Sequence, residues 1–247
     1  MPTPSPNLNY RLQLLEELYQ RYGAGGRGWR WKWRFWRKKY AWILVVGVGR
    51  AFKRVVDAGA AAALLLCLSP LFAAVALLIK LTDGGPVFFW QQRVGRWGQE
   101  FAFPKFRSMV ANAEALKKDL LQQSHHQDSV TFKMKRDPRV TWIGRILRKL
   151  SLDELPQLWC VLKGEMSLVG PRPPVVSEVA RYSLADRRRL DVIPGLTCIW
   201  QVSGRGDIPF AQQVQLDIQY IESQSLWLDL KLLLRTVPAV LLGKGAY

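Results

Sequence analysis

Asp153 and Glu154 stand side by side in Ser151-Leu152-Asp153-Glu154-Leu155-Pro156-Gln157, the sharpest chemical feature of the chain. Adjacent carboxylates can serve as a nucleophile and its partner, or as ligands of a hard cation. A purely structural use is also open: Ser151 could cap a helix while Glu154, three residues on, returns the hydrogen bond. That use would put Pro156 at the fifth helical position, where its missing N–H and ring clash cost about 3 kcal/mol. Pro156 fits better in a first turn, which leaves Asp153 and Glu154 at or just before the helix start. Carboxylates there lie near the positive end of the helix dipole, and the same end can accept a phosphate.

Cations surround this pair along the chain. Lys105 and Arg107 close a predicted hairpin, Arg148 and Lys149 lie about one turn before the carboxylates, and Arg172 falls within Gly170-Pro171-Arg172-Pro173. The two prolines stiffen the backbone around Arg172, which lowers the entropy cost of presenting a bidentate phosphate ligand. Each basic residue alone would be read as solvated surface. Their joint occurrence beside two carboxylates points to a site for a phosphorylated substrate, with Mg²⁺ as the cation that binds carboxylate and diphosphate oxygens together.

The elements that must position these groups are legible from periodicity. Val87–Arg93 and Glu100–Arg107 are β-prone segments around Gly95-Arg96-Trp97-Gly98 and predict a hairpin. Val140–Leu150 predicts an amphipathic helix, with Ile143, Ile146, Leu147 and Leu150 opposite Arg145, Arg148 and Lys149. Further helices are expected over Leu8–Tyr22, Ala111–Gln123, Val175–Leu190, Phe210–Ile221 and Leu226–Leu242, with a loop over Ser124–Pro138. A flexible Gly-rich linker comes after Tyr22.

Composition narrows the partners. The chain has 247 residues, a net charge of +17, 49% hydrophobic residues and 11 Trp, a mixture that a disordered basic tail would not need. Trp29 to Trp42 interleaves Trp29, Trp31, Trp33, Phe35, Trp36 and Trp42 with six basic residues. Indoles favour the headgroup boundary of a bilayer, and each nearby cation on anionic lipid contributes about 1 kcal/mol. Stacking on single-stranded nucleic acid is the competing use, and a non-catalytic basic scaffold for lipid or nucleic acid the competing function. A long apolar run favours the membrane: Ala58 to Ile79 carries no charge, over a length that could cross a bilayer. Ser69-Pro70 interrupts this run, and both flanks are basic: Arg50, Lys53 and Arg54 before, Lys80, Arg93 and Arg96 after. Basic flanks prefer the cytoplasmic side, so a helix that enters, bends at Pro70 and returns to the same face satisfies both observations. Ser69 can re-satisfy the carbonyls freed at the bend.

The three cysteines, Cys67, Cys160 and Cys198, are too far apart for a zinc site or a disulfide framework, which points to a reducing compartment. His125 and His126, the only histidines, read as part of a solvated loop. No secretory signal is expected from the first residues.

From Lys53 onward the chain resembles the bacterial sugar transferases, also called monotopic phosphoglycosyl transferases. The resemblance is carried by Lys53-Arg54-Val55-Val56-Asp57, the apolar run with Ser69-Pro70, Gly84-Gly85-Pro86-Val87-Phe88-Phe89 and Gln92-Arg93-Val94-Gly95. It continues through Lys105-Phe106-Arg107-Ser108-Met109, Asp137-Pro138-Arg139-Val140-Thr141 and Ser151–Gln157. Leu162–Pro173, Pro194-Gly195-Leu196-Thr197, Gln201-Val202-Ser203-Gly204-Arg205 and Gly245-Ala246-Tyr247 complete it. Cys198 and Pro104 depart from the common pattern, the first in a region that shapes sugar or uridine recognition. Trp200 and the closing Gly245-Ala246-Tyr247 lean towards members that start exopolysaccharide or O-antigen chains with a hexose.

The resemblance implies a two-step, Mg²⁺-requiring transfer of sugar-1-phosphate from a UDP-sugar to polyprenyl (undecaprenyl) phosphate with release of UMP. Asp153 is then the nucleophile and Glu154 its partner, both holding the metal. Lys105, Arg107, Arg148, Arg172 and Arg205 are the expected phosphate contacts. The location implied is the cytoplasmic face of a bacterial inner membrane; anionic phospholipid is a partner, nucleic acid is not, and a homodimer is compatible. The expected fold class is α+β, mostly helical, with a re-entrant membrane helix, a small β-hairpin and amphipathic interfacial helices around a cytoplasmic catalytic core. Residues 1–50 form the N-terminal amphipathic helix, Gly linker and Trp/Arg-rich segment, 51–82 the re-entrant helix kinked at Pro70, and 83–247 the catalytic domain.

Overall fold

The computed structural model describes residues 13, 16–17, 29–110, 113, 137–204 and 207–242. The expected helix over Leu8–Tyr22 falls almost wholly outside them. So do the glycine linker, almost all of the expected helix over Ala111–Gln123, the histidine-bearing loop, Arg205 and Gly245-Ala246-Tyr247.

The chain runs α1 (Trp29–Cys67), α2 (Ser69–Asp83), β1 (Phe88–Val94), β2 (Glu100–Phe106), α3 (Trp142–Lys149) and a 3-10 turn (Leu152–Gln157). Then come α4 (Leu158–Lys163), β3 (Ser167–Val169), α5 (Val176–Val179), a second 3-10 turn (Asp186–Asp191), β4 (Gly195–Thr197), α6 (Ile199–Ser203), α7 (Phe210–Ser223) and α8 (Leu226–Leu242). Helices dominate, as expected. The chain divides into two compact units, Met1–Val55 and Val56–Tyr247.

In the first unit, α1 leaves Trp29, Trp33, Trp36, Tyr40, Leu44 and Val48 exposed. Arg37 lies over the ring of Trp33 and Lys39 over that of Trp36. This is the mixture of indole and cation that sequence suggested.

In the second unit, the apolar run is helical on both sides of Leu68, and the helical axis turns by 58° between Gly47–Cys67 and Ser69–Thr82. Among the described residues no single helix is long and apolar enough to cross a membrane. Pro70 lies in the first turn of α2, where a missing N–H is least costly. Ser69 Oγ donates to the Leu66 carbonyl at 2.8 Å, so the hydroxyl satisfies an oxygen at the bend as expected. Val75 and Ile79 of α2 then pack with Phe106, Ile143 and Leu147.

β1 and β2 form the expected hairpin, antiparallel, with Phe89 opposite Lys105 and Arg93 opposite Phe101. Trp97 and Gly98 take left-handed backbone angles in the turn. Phe101 and Phe103 enter the main core with Leu158, Val161, Met166 and Tyr220.

One expected helix needs correction, and one alternative is removed. Val175–Leu190 is not one helix. Glu178 accepts from the Val175 N–H and starts α5, which stops at Val179. Ser183 and Asp186 then exchange hydrogen bonds and start a separate 3-10 turn, so a new cap interrupts the pattern. The capping-box use of Ser151 is also excluded: Ser151 has φ 52° and its side chain caps nothing. Pro156 is not in a first turn as expected: it is the fifth residue of the 3-10 turn that follows Ser151, two residues before α4 begins. Asp153 and Glu154 do lie in the first turn of that 3-10 segment.

A parallel pair, β3 and β4, was not expected. Its close approach is enforced by glycine: a Cβ on Gly195 would collide with the backbone of Gly170. Gly195 N donates to Pro171 O at 2.9 Å and Gly170 N to Thr197 O at 3.0 Å, which fixes the chain just before Arg172.

Candidate active site

Four elements converge on the carboxylate pair. The 3-10 turn carries Asp153 and Glu154, β2 brings Lys105, the segment after β3 brings Arg172, and α3 brings Arg148. Glu154 is held from two sides. Arg172 donates from Nη2 to Oε1 at 2.7 Å and from Nη1 to Oε2 at 3.2 Å, and Lys105 Nζ donates to Oε1 at 2.7 Å. Burial pushes the Glu154 carboxyl up, but Arg172 and then Lys105 outweigh it and hold it well below the usual range. Glu154 is therefore ionised whenever the protein is folded near neutrality.

Asp153 differs. It is buried, its nearest cation is Lys105 Nζ at 3.9 Å, and among the described residues no side chain donates a hydrogen bond to its carboxylate. Burial raises its pKa, with Lys105 as the largest opposing influence and Arg148 and Arg172 further ones. A carboxylate without donors keeps its lone pairs for a reacting atom.

Arg148 is the complementary case. Its Nε donates to Ser108 Oγ at 2.9 Å, and among the described residues nothing else hydrogen-bonds its guanidinium. Burial lowers its pKa, while the field of Asp153, then Asp137, draws it back. Among the described residues the two terminal nitrogens are thus the site's uncommitted donors.

Of the expected phosphate contacts, Lys105, Arg148 and Arg172 meet at the carboxylates. Arg107 is buried with its guanidinium against Gly85. Arg205 lies outside the described residues. Arg93 was not singled out from sequence as a site residue, yet it belongs to this cluster's field. Its Nη1 donates to Pro173 O at 2.9 Å, its guanidinium lies over Phe103, and burial together with Arg172 pushes its pKa down to about 10. Arg93 thereby pins the carbonyl next to Arg172. The signal was the β-strand alternation, which puts residues 91 and 93 on one face.

α3 reaches the cluster because Gly144 has no side chain; a Cβ there would collide with the Ser108 carbonyl. Gly144→Ala is expected to force the helix off β2's extension and cost about 1–3 kcal/mol. Thermal unfolding reads this; an unchanged midpoint would contradict the tight packing.

Among the described residues no three acidic, His or Cys side chains form a metal cluster. The donor set is the carboxylate pair alone. Mg²⁺ typically takes one or two carboxylates together with substrate phosphates, so Asp153 and the remaining lone pairs of Glu154 fit an ion shared with a diphosphate, not a resident protein cage.

Among the described residues, one carboxylate clamped by cations, its neighbour without a side-chain donor and an arginine bonded through Nε alone make a site whose chemistry suits anionic groups. A family model described as bacterial sugar transferase matches residues 48–243, and the chain belongs to that family. It is 50% identical over 197 residues to the galactosyl transferase CpsE of Streptococcus agalactiae, covering 78% of this chain and 43% of that protein. It is 43% identical over 203 residues to the exopolysaccharide production protein ExoY of Rhizobium meliloti, covering 81% and 90%. The undecaprenyl-phosphate galactose phosphotransferase of Salmonella typhimurium is 45% identical over 202 residues, covering 80% and 42%. The chain thus spans under half the length of two of these relatives and nine-tenths of the third.

Proposed function

We propose that this protein transfers a sugar-1-phosphate from a UDP-sugar to undecaprenyl phosphate, with Asp153 as the covalent nucleophile. The observation that carries the reading is the division between the two carboxylates: Glu154 is held by Arg172 and Lys105, whereas among the described residues no side chain donates to Asp153. The names of relatives that act on undecaprenyl phosphate support the acceptor class. An Asp153 oxygen attacks the β-phosphorus of the donor, the phosphoanhydride bond breaks, and its electron pair leaves with UMP. A phosphate oxygen of the carrier then attacks the same phosphorus, the aspartyl–phosphorus bond breaks, and the carboxylate is restored. The open fork of Arg148 accepts the phosphoryl oxygens, and Glu154 keeps Lys105 and Arg172 fixed around them. Mg²⁺ held by Asp153 and Glu154, when bound, supplies neutralisation of diphosphate charge.

The bent α1–α2 pair is a re-entrant membrane segment in this reading, entering and leaving on the cytoplasmic face. Exposed Leu64, Leu66, Leu77 and Leu81 support it, since such residues need a lipid environment. Exposed Trp227, Leu230, Leu234 and Val237 along α8 suit the same interface. Purified protein given Mg²⁺, undecaprenyl phosphate and a panel of UDP-sugars should release UMP with at least one donor. No UMP from any would overturn the assignment.

The rate should also depend on pH in a defined way. Asp153 must be ionised to attack, and burial raises its pKa, so the acid limb of kcat/KM lies above the ordinary aspartate value. Lys105 is the strongest influence opposing that rise. Lys105→Met should therefore move the acid limb to higher pH as well as lowering the plateau. A limb that stays put or moves down would separate Asp153 from the rate.

A further inference from the structure

We propose that Ser108 is a positioning residue for the transfer reaction, acting through Arg148. The proposal rests on Arg148 being a phosphate contact, whose fork must be aimed. A guanidinium on a flexible stem would sample many directions, at an entropy cost for each productive one. Here, among the described residues, one of its five donors is committed: Nε donates to Ser108 Oγ at 2.9 Å. Because the guanidinium is planar, fixing Nε and the stem sets the plane of the group and turns the end-on edge, which the two terminal nitrogens share, in a direction other than that of Ser108.

The backbone that carries the hydroxyl is itself held. Ser108 is buried, its carbonyl accepts from the Thr141 N–H at 3.1 Å, and Thr141 Oγ1 caps α3 by accepting from Gly144 N at 3.0 Å. Gly144 rests on the Ser108 backbone, and Arg148, four residues further, lies on the same helix face. The clasp extends one step outward. Met109 bridges to Val140, Val110 N donates to Arg139 O, and Arg139 is locked to Asp137 through its Nε and Nη2. Backbone, cap and buried ion pair thus fix the main chain from which the hydroxyl projects, and that hydroxyl has no carboxylate's charge to lose. Ser108 orients Arg148 without neutralising it, which keeps the full positive charge for a phosphate.

A double-mutant cycle tests this with the full chain, read by UMP release and by thermal unfolding. Ser108→Ala should lower kcat about tenfold to a hundredfold, the scale of a hydrogen bond to a charged group, with KM for the UDP-sugar within about twofold. Ser108→Cys, which keeps the volume but accepts hydrogen bonds weakly, should fall between the two and guards against a packing defect in the alanine variant. In an Arg148→Ala background, Ser108→Ala should have no further effect on kcat. A loss of the same size in that background, or wild-type kcat in Ser108→Ala, overturns the role of Ser108. Wild-type activity in Arg148→Ala overturns the reading of Arg148 beneath it, a separate and distinguishable failure.

Discussion

Asp153→Asn is expected to abolish UMP release, by roughly 10³-fold or more, while the protein becomes no less stable. The loss comes from chemistry: an amide oxygen is a poor nucleophile towards phosphorus and cannot be regenerated by the acceptor. The stability comes from linkage. Burial raises the folded-state pKa of Asp153, so the ionised carboxylate is a cost to folding at pH above that value. As pH falls through the folded pKa towards the unfolded one, that cost disappears. The asparagine variant should therefore melt higher than wild type near neutrality, with the difference shrinking to nothing in acid. Circular dichroism melts over a pH series, paired with UMP assays, measure both. Near wild-type turnover in this variant would remove Asp153 from the mechanism, and a lower melting temperature at pH 7 would contradict the buried, donor-free carboxylate.

How far the chain could be read in advance depended on the range of each interaction. The hairpin, α3, α7 and α8 were legible because their periodicity is local and their apolar faces are wide. Phe210–Ser223 and Leu226–Leu242 match the expected helices almost residue for residue. The bend was legible because Ser69-Pro70 is itself the cause. The partnership among Asp153, Glu154, Lys105 and Arg172 was legible only as a coincidence of charges, since the residues span 68 positions of sequence and nothing local fixes their distances. What could not be read was who holds whom. The spacing of Ser151 and Glu154 allowed a cap, but Arg172 and Lys105 offered Glu154 two charged donors, and charge-assisted bonds are roughly twice as strong as neutral ones. β3 and β4 escaped because strands of three residues carry no alternation to detect. Ser108 and Arg93 escaped because the side-chain bonds that single them out, to Arg148 and to the Pro173 carbonyl, join residues far apart in the sequence.

The neighbouring substitution, Glu154→Gln, should affect turnover in the same direction and stability in the opposite one. Glutamine keeps the shape but turns one acceptor oxygen into an NH₂ facing cations. Lys105 and Arg172 would then share a single neutral oxygen in a largely buried setting. Removing one partner of a buried ionic cluster typically costs about 3–5 kcal/mol. For a chain of this size that corresponds to a fall in melting temperature of roughly 6–15 °C. Because the folded-state pKa of Glu154 is depressed, its contribution is present above the unfolded value and is lost only as pH falls through the folded one. The deficit of the variant should accordingly persist through neutral pH and close only in strong acid. Activity falls for a second reason. Lys105 Nζ is 2.7 Å from Glu154 Oε1 and 3.9 Å from Asp153 Oδ2, so Glu154 keeps the ammonium from closing on Asp153. Without that restraint Lys105 pairs with Asp153, lowers its pKa and ties up its lone pairs. A fall in turnover of about 10²-fold, with the acid limb of the rate profile displaced downward, is the expected signature. Two adjacent carboxylates, alike in sequence, would then be separated by experiment: one whose amide stabilises, one whose amide destabilises, and neither dispensable for transfer. A Glu154→Gln protein that melts with wild type would show that Arg172 and Lys105 do not depend on that carboxylate.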